Sequence, residues 1–409
     1  MHPTKTNTYM RYLATVIMLF LLSPAAMHAQ EVTAPKFGKG LLNIVGQDST
    51  WSMNFSARVQ LLSTTTWTDN DGTFENPQNN NLIRRSRLKF KGHLYSPKIT
   101  YKMEFGLSNR DMGGTSAFTN NAPRFIMDAV IKYNFWENFE LWAGQTKLPG
   151  NIERVISSAD LQLVDRSIVN SRFNIDRDMG LQLRHHITFG NSFLIREKLA
   201  VSQGEGRNVT TGNLGGHQYT GRIEILPFGK FANKGDYKGA ALDRQETPKL
   251  MVAATYDMNK DAVRTRSNMG SYMVTDYGFH ETDINTFFAD MMFKYKGFSF
   301  MGEYAKRDAD TPVALNLDGT ATGDVVLVGD GLNLMSGYLF KNDYEITGRY
   351  SNVALDEAIT GIGEETQYTL GLSKYFVGHK LKLQTDVSYT DFEANNDRLM
   401  WRLQLDFHF

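Results

Sequence analysis

The sequence predicts an all-β chain, a transmembrane antiparallel β-barrel of about sixteen strands, preceded by an export leader. Three observations carry that prediction. Stretches of about ten residues alternate apolar and polar side chains, the length a tilted strand needs to cross a bilayer and longer than the five or six typical of a soluble sheet. The chain ends on Leu399, Trp401, Leu403, Leu405, Phe407 and Phe409, alternating to its last residue. Residues 1–29 read as a cleavable signal peptide. Composition removes other classes. Lys+Arg and Asp+Glu each number 44, so no global basicity points to nucleic acid. The absence of Cys removes a disulfide framework, thiolate metal clusters and a Cys nucleophile.

Taken in order, Lys5 and Arg11 precede an apolar run from Leu13 to Leu22, which is too short to span a bilayer, and Met27-His28-Ala29 form the cleavage site. Residues 30–50 are expected as a lead segment and 51–409 as the barrel. Strands are expected at 52–66, 82–95, 99–108, 125–135, 139–146, 178–188, 192–202 and 218–226. A second set is expected at 249–259, 286–296, 298–306, 330–340, 343–353, 365–375, 379–389 and 398–409. Tyr95-Ser96-Pro97-Lys98 and Trp136-Glu137-Asn138 read as short periplasmic turns. The polar stretches 67–81, 109–123, 203–217, 260–285 and 307–329 read as extracellular loops. Residues 229–248 are long where a short turn is expected, and nothing in their composition explains them.

Charge placement follows from the lipid. An outward Arg or Lys near the bilayer midplane costs about 2–4 kcal/mol. In the strand over 82–95, Leu88, Phe90 and Leu94 therefore face lipid, while Arg85, Arg87, Lys89, Lys91 and His93 face the lumen. Successive inward residues lie about 6.6 Å apart, comparable to the Debye length of about 8 Å at physiological salt, so the fields of the four cations overlap. Strict alternation points Arg84 outward, and only a bulge or its place at the strand end would turn it in. For lumenal charges outside 84–91, cross-strand pairing is the expected use.

Other motifs are weak. His185 and His186 are adjacent on a strand and point to opposite faces, so they cannot hold one metal together. Asp69-Asn70-Asp71-Gly72 lacks the later Glu of a calcium loop and reads as a turn. No GxSxG or HExxH is present, and no catalytic residue, metal site or cofactor is expected.

Several segments carry a family resemblance. They are Arg84-Arg85-Ser86-Arg87-Leu88, Asp128-Ala129, Gly144-Gln145-Thr146-Lys147, Leu148-Pro149-Gly150, Ile152-Glu153-Arg154, Asp165-Arg166-Ser167 and Arg177-Asp178. In them the chain resembles the phosphate-selective porins O and P, in a form like those of Bacteroides-type bacteria. The resemblance implies a sixteen-stranded, homotrimeric porin of the outer membrane whose third extracellular loop, here 147–177, folds inward as the constriction. It also implies that arginines and lysines guide phosphate or similar small anions by passive diffusion. By position, Arg84 and Arg85 match constriction arginines, Asp128 a lumenal aspartate, Lys102 a strand lysine and Arg154 the loop cation. With Arg87, Lys89 and Lys91 these make up the expected anion-binding set. The terminal Trp401, Phe407 and Phe409 resemble the signal read by the barrel assembly machinery, with outer-membrane lipid as the other partner and no nucleic acid. The alternatives are a general small-solute porin whose charges keep the wall wetted, or a barrel hydrolase or adhesin. A hydrolase would need Ser, His and an acid at one rim, and an adhesin would need large extracellular insertions; neither pattern is found.

Overall fold

The structure, a computed structural model, describes residues 35–210 and 214–409. The signal peptide expected over 1–29 lies outside the described residues. Eight strands come first: β1 (Ser52–Asn70), β2 (Thr73–Leu94), β3 (Ser96–Gly106), β4 (Ile126–Trp136), β5 (Phe139–Lys147), β6 (Arg177–Phe189), β7 (Phe193–Ser202) and β8 (Gln218–Leu226). Eight more complete the wall: β9 (Lys249–Ala262), β10 (Thr282–Tyr295), β11 (Phe298–Ala309), β12 (Gly329–Leu339), β13 (Tyr344–Leu355), β14 (Glu364–Tyr375), β15 (Leu381–Phe392) and β16 (Arg398–His408). Each pairs antiparallel with its chain neighbours, and β16 pairs with β1 from Arg58↔His408 to Thr68↔Arg398, which closes a sixteen-strand barrel. Closure removes the free edge that the apolar last strand would otherwise present. A short strand, Leu42–Val45, pairs with β1 from Leu42↔Phe55 to Val45↔Ser52, so it continues the wall beyond the end of β16.

Alternation determines what each face meets. Along β16, Trp401 and Leu403 are exposed to the outside, as is the following Phe409, while Arg402, Gln404, Asp406 and His408 are buried on the lumenal side. One end of the barrel carries tight turns, with Tyr95 and Glu137 at positive φ (61° and 38°), and exposed Tyr95, Trp136, Phe189, Phe340 and Phe376 ring it. Short turns mark the periplasmic end, and the aromatic ring is the girdle of that interface.

One expected loop is a hairpin. Residues 67–81 continue β1 and β2 as a paired ribbon, with Asn70↔Thr73 at its tip and Asp71 and Gly72 at φ 51° and 85°. Two central residues at positive φ make the tight primed turn that suits strand twist, and Asp-Gly is the pair that favours it. Alternation is lost there because, beyond the bilayer, both faces of the ribbon meet water, so sequence period no longer reports strand. Residues 260–285 and 307–329 likewise contain small hairpins, among them Arg264–Arg266 with Met269–Tyr272 and Val313–Leu315 with Ala321–Val325.

The core is inside the barrel. Residues 148–176 leave the outer end of β5 and descend into the lumen, carrying two short helices, α1 (Ile152–Val155) and α2 (Ile168–Phe173). Ile152, Ile156, Leu161 and Leu163 of this loop pack with Met251, Met292, Met301 and Met335 of the wall. Leu148, Val169, Phe173 and Ile175 pack with Phe288, Ala305 and Val353. Each such side chain removed from water contributes about 1.5–3 kcal/mol toward holding the loop inside. The insertion 229–248 rises from the opposite end: its Phe231 and Tyr237 join the first cluster, and the Gly239 amide donates to Asp160 O at 2.7 Å. The unexplained insertion is thus a periplasmic segment folded up against the underside of the descending loop.

Candidate permeation site

The descending loop divides the lumen. Against β8–β16 it is anchored by side chains that reach its backbone. Arg222 donates to Gly150 O (3.0 Å), Arg307 to Phe173 O (2.6 Å), Lys382 to Leu161 O (2.8 Å) and Gln384 to Gln162 O (2.6 Å). The Asp386 carboxylate accepts from the Val164 amide (3.0 Å). Wall charges on this side also neutralise one another, Arg222 bridging Asp290 (2.7 Å) and Glu224 (2.8 Å), and Arg402 gripping Asp386 (2.6 Å).

The passage remains on the other side, along β2–β7. A cavity of about 510 Å³ lies between that wall and the loop. Nine Arg and five Lys line it against five carboxylates, Glu104, Asp111, Asp128, Asp160 and Asp176. Below it open two further chambers of about 680 and 580 Å³, the first beside Lys91, His93 and Asn54, the second beside Arg196, Lys198 and the insertion's Lys230 and Lys234.

The structure brings most of the expected residues to this passage. Arg84 turns inward because β2 bulges: Gln60 faces Arg85 while Leu61 faces Ile83, leaving Arg84 as the extra residue. Arg84 and Arg85 then share one loop carboxylate, Asp165, at 2.8 and 3.4 Å. Arg87 holds Asp111 (2.6 Å) and Glu104 (3.1 Å). Lys102 sits between Glu104 (2.8 Å) and Asp128 (2.9 Å). Asp128 is buried and also accepts from Arg177 (3.1 Å) and Thr146 (2.8 Å), which makes it a fixed anchor for cations. Arg154 lines the cavity from the loop, its Nε 2.8 Å from Asp176. Lys89 and Lys91 continue the line toward the periplasm, and among the described residues neither forms an ion pair. Trp401, Phe407 and Phe409 lie apart from the passage, on the outer face at the barrel seam; Phe37 of the lead segment packs edge-on to Phe409 at 5.9 Å between ring centres.

Sequence reasoning missed several contributors. Arg58 on β1 holds Asp406 (2.8 Å) across the seam and Ser158 of the loop (2.8 Å). Lys147 donates to Arg154 O (2.6 Å) at the end of α1. Asp165 and Asp111 come from segments without alternation, so no period placed them; only the family segments Asp165-Arg166-Ser167 and Arg177-Asp178 hinted at that neighbourhood. On the extracellular side, Glu205 accepts from the Leu214 and Gly215 amides (3.1 and 3.2 Å), and burial pushes its carboxyl up to about 7.

A closed barrel whose lumen is narrowed by one inward loop, with a polar passage left along one wall, has the architecture of an outer-membrane porin. Comparison with known proteins supplies the family. The model described as phosphate-selective porin O and P matches residues 66–407, and the chain belongs to that family. A protein of Aquifex aeolicus (strain VF5), itself uncharacterised, is 23% identical over 299 residues, 69% of this chain and 67% of its own. Among solved structures, the anion-selective porin of Comamonas acidovorans aligns with TM-score 0.53 and 11% identity, over 88% of this chain and all of its own. OmpF of Salmonella typhi aligns with TM-score 0.55 and 11% identity, over 89% of this chain and all of its own. OmpT of Vibrio cholerae, in its trimer form, aligns with TM-score 0.51 and 11% identity, over 88% and 100%. At those identities the structural likeness speaks for the fold.

Proposed function

We propose that this porin gives passive, anion-selective diffusion of phosphate and similar small anions. The observation that carries the reading is the charge of the constriction cavity, nine Arg and five Lys against five carboxylates, in a chain whose formal net charge is zero. A narrow aqueous path with low-dielectric walls focuses such a field and concentrates anions in it. Arg84, Arg85 and Arg87 suit oxyanions because a planar guanidinium can give two hydrogen bonds to one phosphate. Their carboxylate partners temper the site: an incoming anion competes with Asp165 or Glu104, so binding stays weak enough for release. From there Lys102, Lys89 and Lys91 offer the next steps, and Asp128 positions Lys102. Arg154 faces the same cavity from the loop. A homotrimer, inserted through recognition of Trp401, Phe407 and Phe409, belongs to the same reading, and OmpT is a neighbour with a trimer form.

Planar-bilayer recording in a salt gradient is the direct test. The expected reversal potential lies on the chloride side, and phosphate added at low salt slows the chloride current. A pore that prefers cations would overturn the proposal. Anion preference untouched by phosphate would leave a general anion pore and remove the phosphate assignment.

A further inference from the structure

Trp142 lies on β5 with a cation on either side, and sheet register puts them there. Lys132 of β4 is directly opposite Trp142, and Arg184 of β6 is directly opposite Glu140, two residues back along β5. The Lys132 ammonium and the Arg184 guanidinium each stand 3.5 Å from the centre of the indole ring. Two cations that close to one ring occupy its two faces, where the aromatic quadrupole attracts both. The pairing expected of the register does not form. Glu140 accepts the indole Nε1–H at 2.8 Å, and Arg184 donates to Gln182 Oε1 at 2.6 and 3.2 Å. Among the described residues, neither Lys132 nor Arg184 makes an ion pair. On the packed side, by contrast, Arg222 and Arg402 each grip a carboxylate. Lys132, Trp142 and Arg184 line both the constriction cavity and the chamber beside the insertion, so they stand where the two meet.

We propose that Trp142 is a specificity-determining residue: it keeps Lys132 and Arg184 unneutralised, as a small-oxyanion site between the constriction and the periplasmic chamber. The aromatic face compensates the two positive charges without occupying their N–H donors on the chamber side, which a carboxylate would do. The indole N–H removes the competitor by holding Glu140. The inference rests on the anion-pore reading and adds a residue to it that carries no charge.

The test uses the full-length porin in planar bilayers, with inorganic phosphate as the probe. Trp142→Leu takes away both the ring face and the N–H, freeing Glu140 to pair with Arg184. Phosphate block of the chloride current is expected to weaken about tenfold, within the range of a lost cation–π pair. Adding Glu140→Gln to that variant is expected to restore most of the block, a rescue that a purely structural role for the ring would not produce. Should Trp142→Leu fail to assemble, Trp142→Phe keeps the ring but frees Glu140; a block weakened about threefold and recovered by Glu140→Gln is then expected. Unchanged block in the assembled variant, or a loss that Glu140→Gln does not repair, overturns the role of Trp142 while the anion-pore reading stands. An unmodified pore that prefers cations overturns both, and that measurement comes first.

Discussion

The two sides of the lumen hold the same kinds of residue and use them differently. Along β8–β16, Arg222, Arg307, Lys382 and Arg402 are buried against carboxylates or loop carbonyls, and their charge ends in local bonds. Along β2–β7, cations outnumber the carboxylates facing the same cavity, and Lys89, Lys91 and Lys132 stand without an ion-pair partner among the described residues. What differs is the cover. Where the loop packs on the wall, desolvated charges must be paired, because an uncompensated buried charge is costly. Where it does not, water screens the excess and the field can act on ions passing through. Charge on a barrel wall therefore bears on permeation only where the lumen beside it is open.

The contrast can be broken from either side. The largest effect is expected from Arg222→Met on the packed side, which leaves Asp290 and Glu224 buried without their shared cation and costs about 3–5 kcal/mol of stability. Denaturant unfolding in detergent should show that loss, while the reversal potential of surviving pores stays put. A shifted reversal potential would mean that ions also sample the packed side.

On the open side the reverse is expected. Arg85→Glu with Arg87→Glu should lower the anion-to-cation permeability ratio by about tenfold or more at low salt, and the shift should shrink as salt rises. Gradient recordings at two ionic strengths check both parts. An unmoved ratio would make those arginines structural.

A smaller change is expected where the sides meet. The insertion braces the constriction loop through Gly239 to Asp160 and through Lys294, which donates to Lys238 O (2.9 Å) and Ala240 O (2.7 Å). Replacing 230–246 with a short turn should raise single-channel conductance about twofold, since the passage narrows between loop and wall. Conductance that does not change would show that the wall holds the loop without the insertion.

The smallest effect concerns the extracellular rim, outside the comparison of the two walls. Because the Glu205 carboxyl titrates near 7 when folded, above its ordinary value of 4.5, its neutral form favours the folded loop. That contribution is complete below about pH 4.5 and is lost as pH rises through about 7. Protection of the Leu214 and Gly215 amides, taken relative to their intrinsic base-catalysed exchange, should fall between those values, and Glu205→Gln should abolish that fall.

All sixteen strands were legible in the sequence, because lipid outside and a polar lumen inside impose a period of two that needs no tertiary information. The last strand's pairing with the first follows from the same rule, since an edge that apolar must be closed. The ladder of Arg85, Arg87, Lys89 and Lys91 was readable for the same reason. Arg84 was not, because its inward turn depends on a bulge set by register with β1. A partial signal went unread on β9 and β10, where Met251-Val252 and Met291-Met292 put apolar residues on both phases, as a wall covered on both sides requires. Which cations are paired, where the insertion goes and which half of the lumen stays open were decided only by the tertiary structure. They depend on where two segments without period come to rest, and a pattern along one strand carries no information about what packs across the lumen from it.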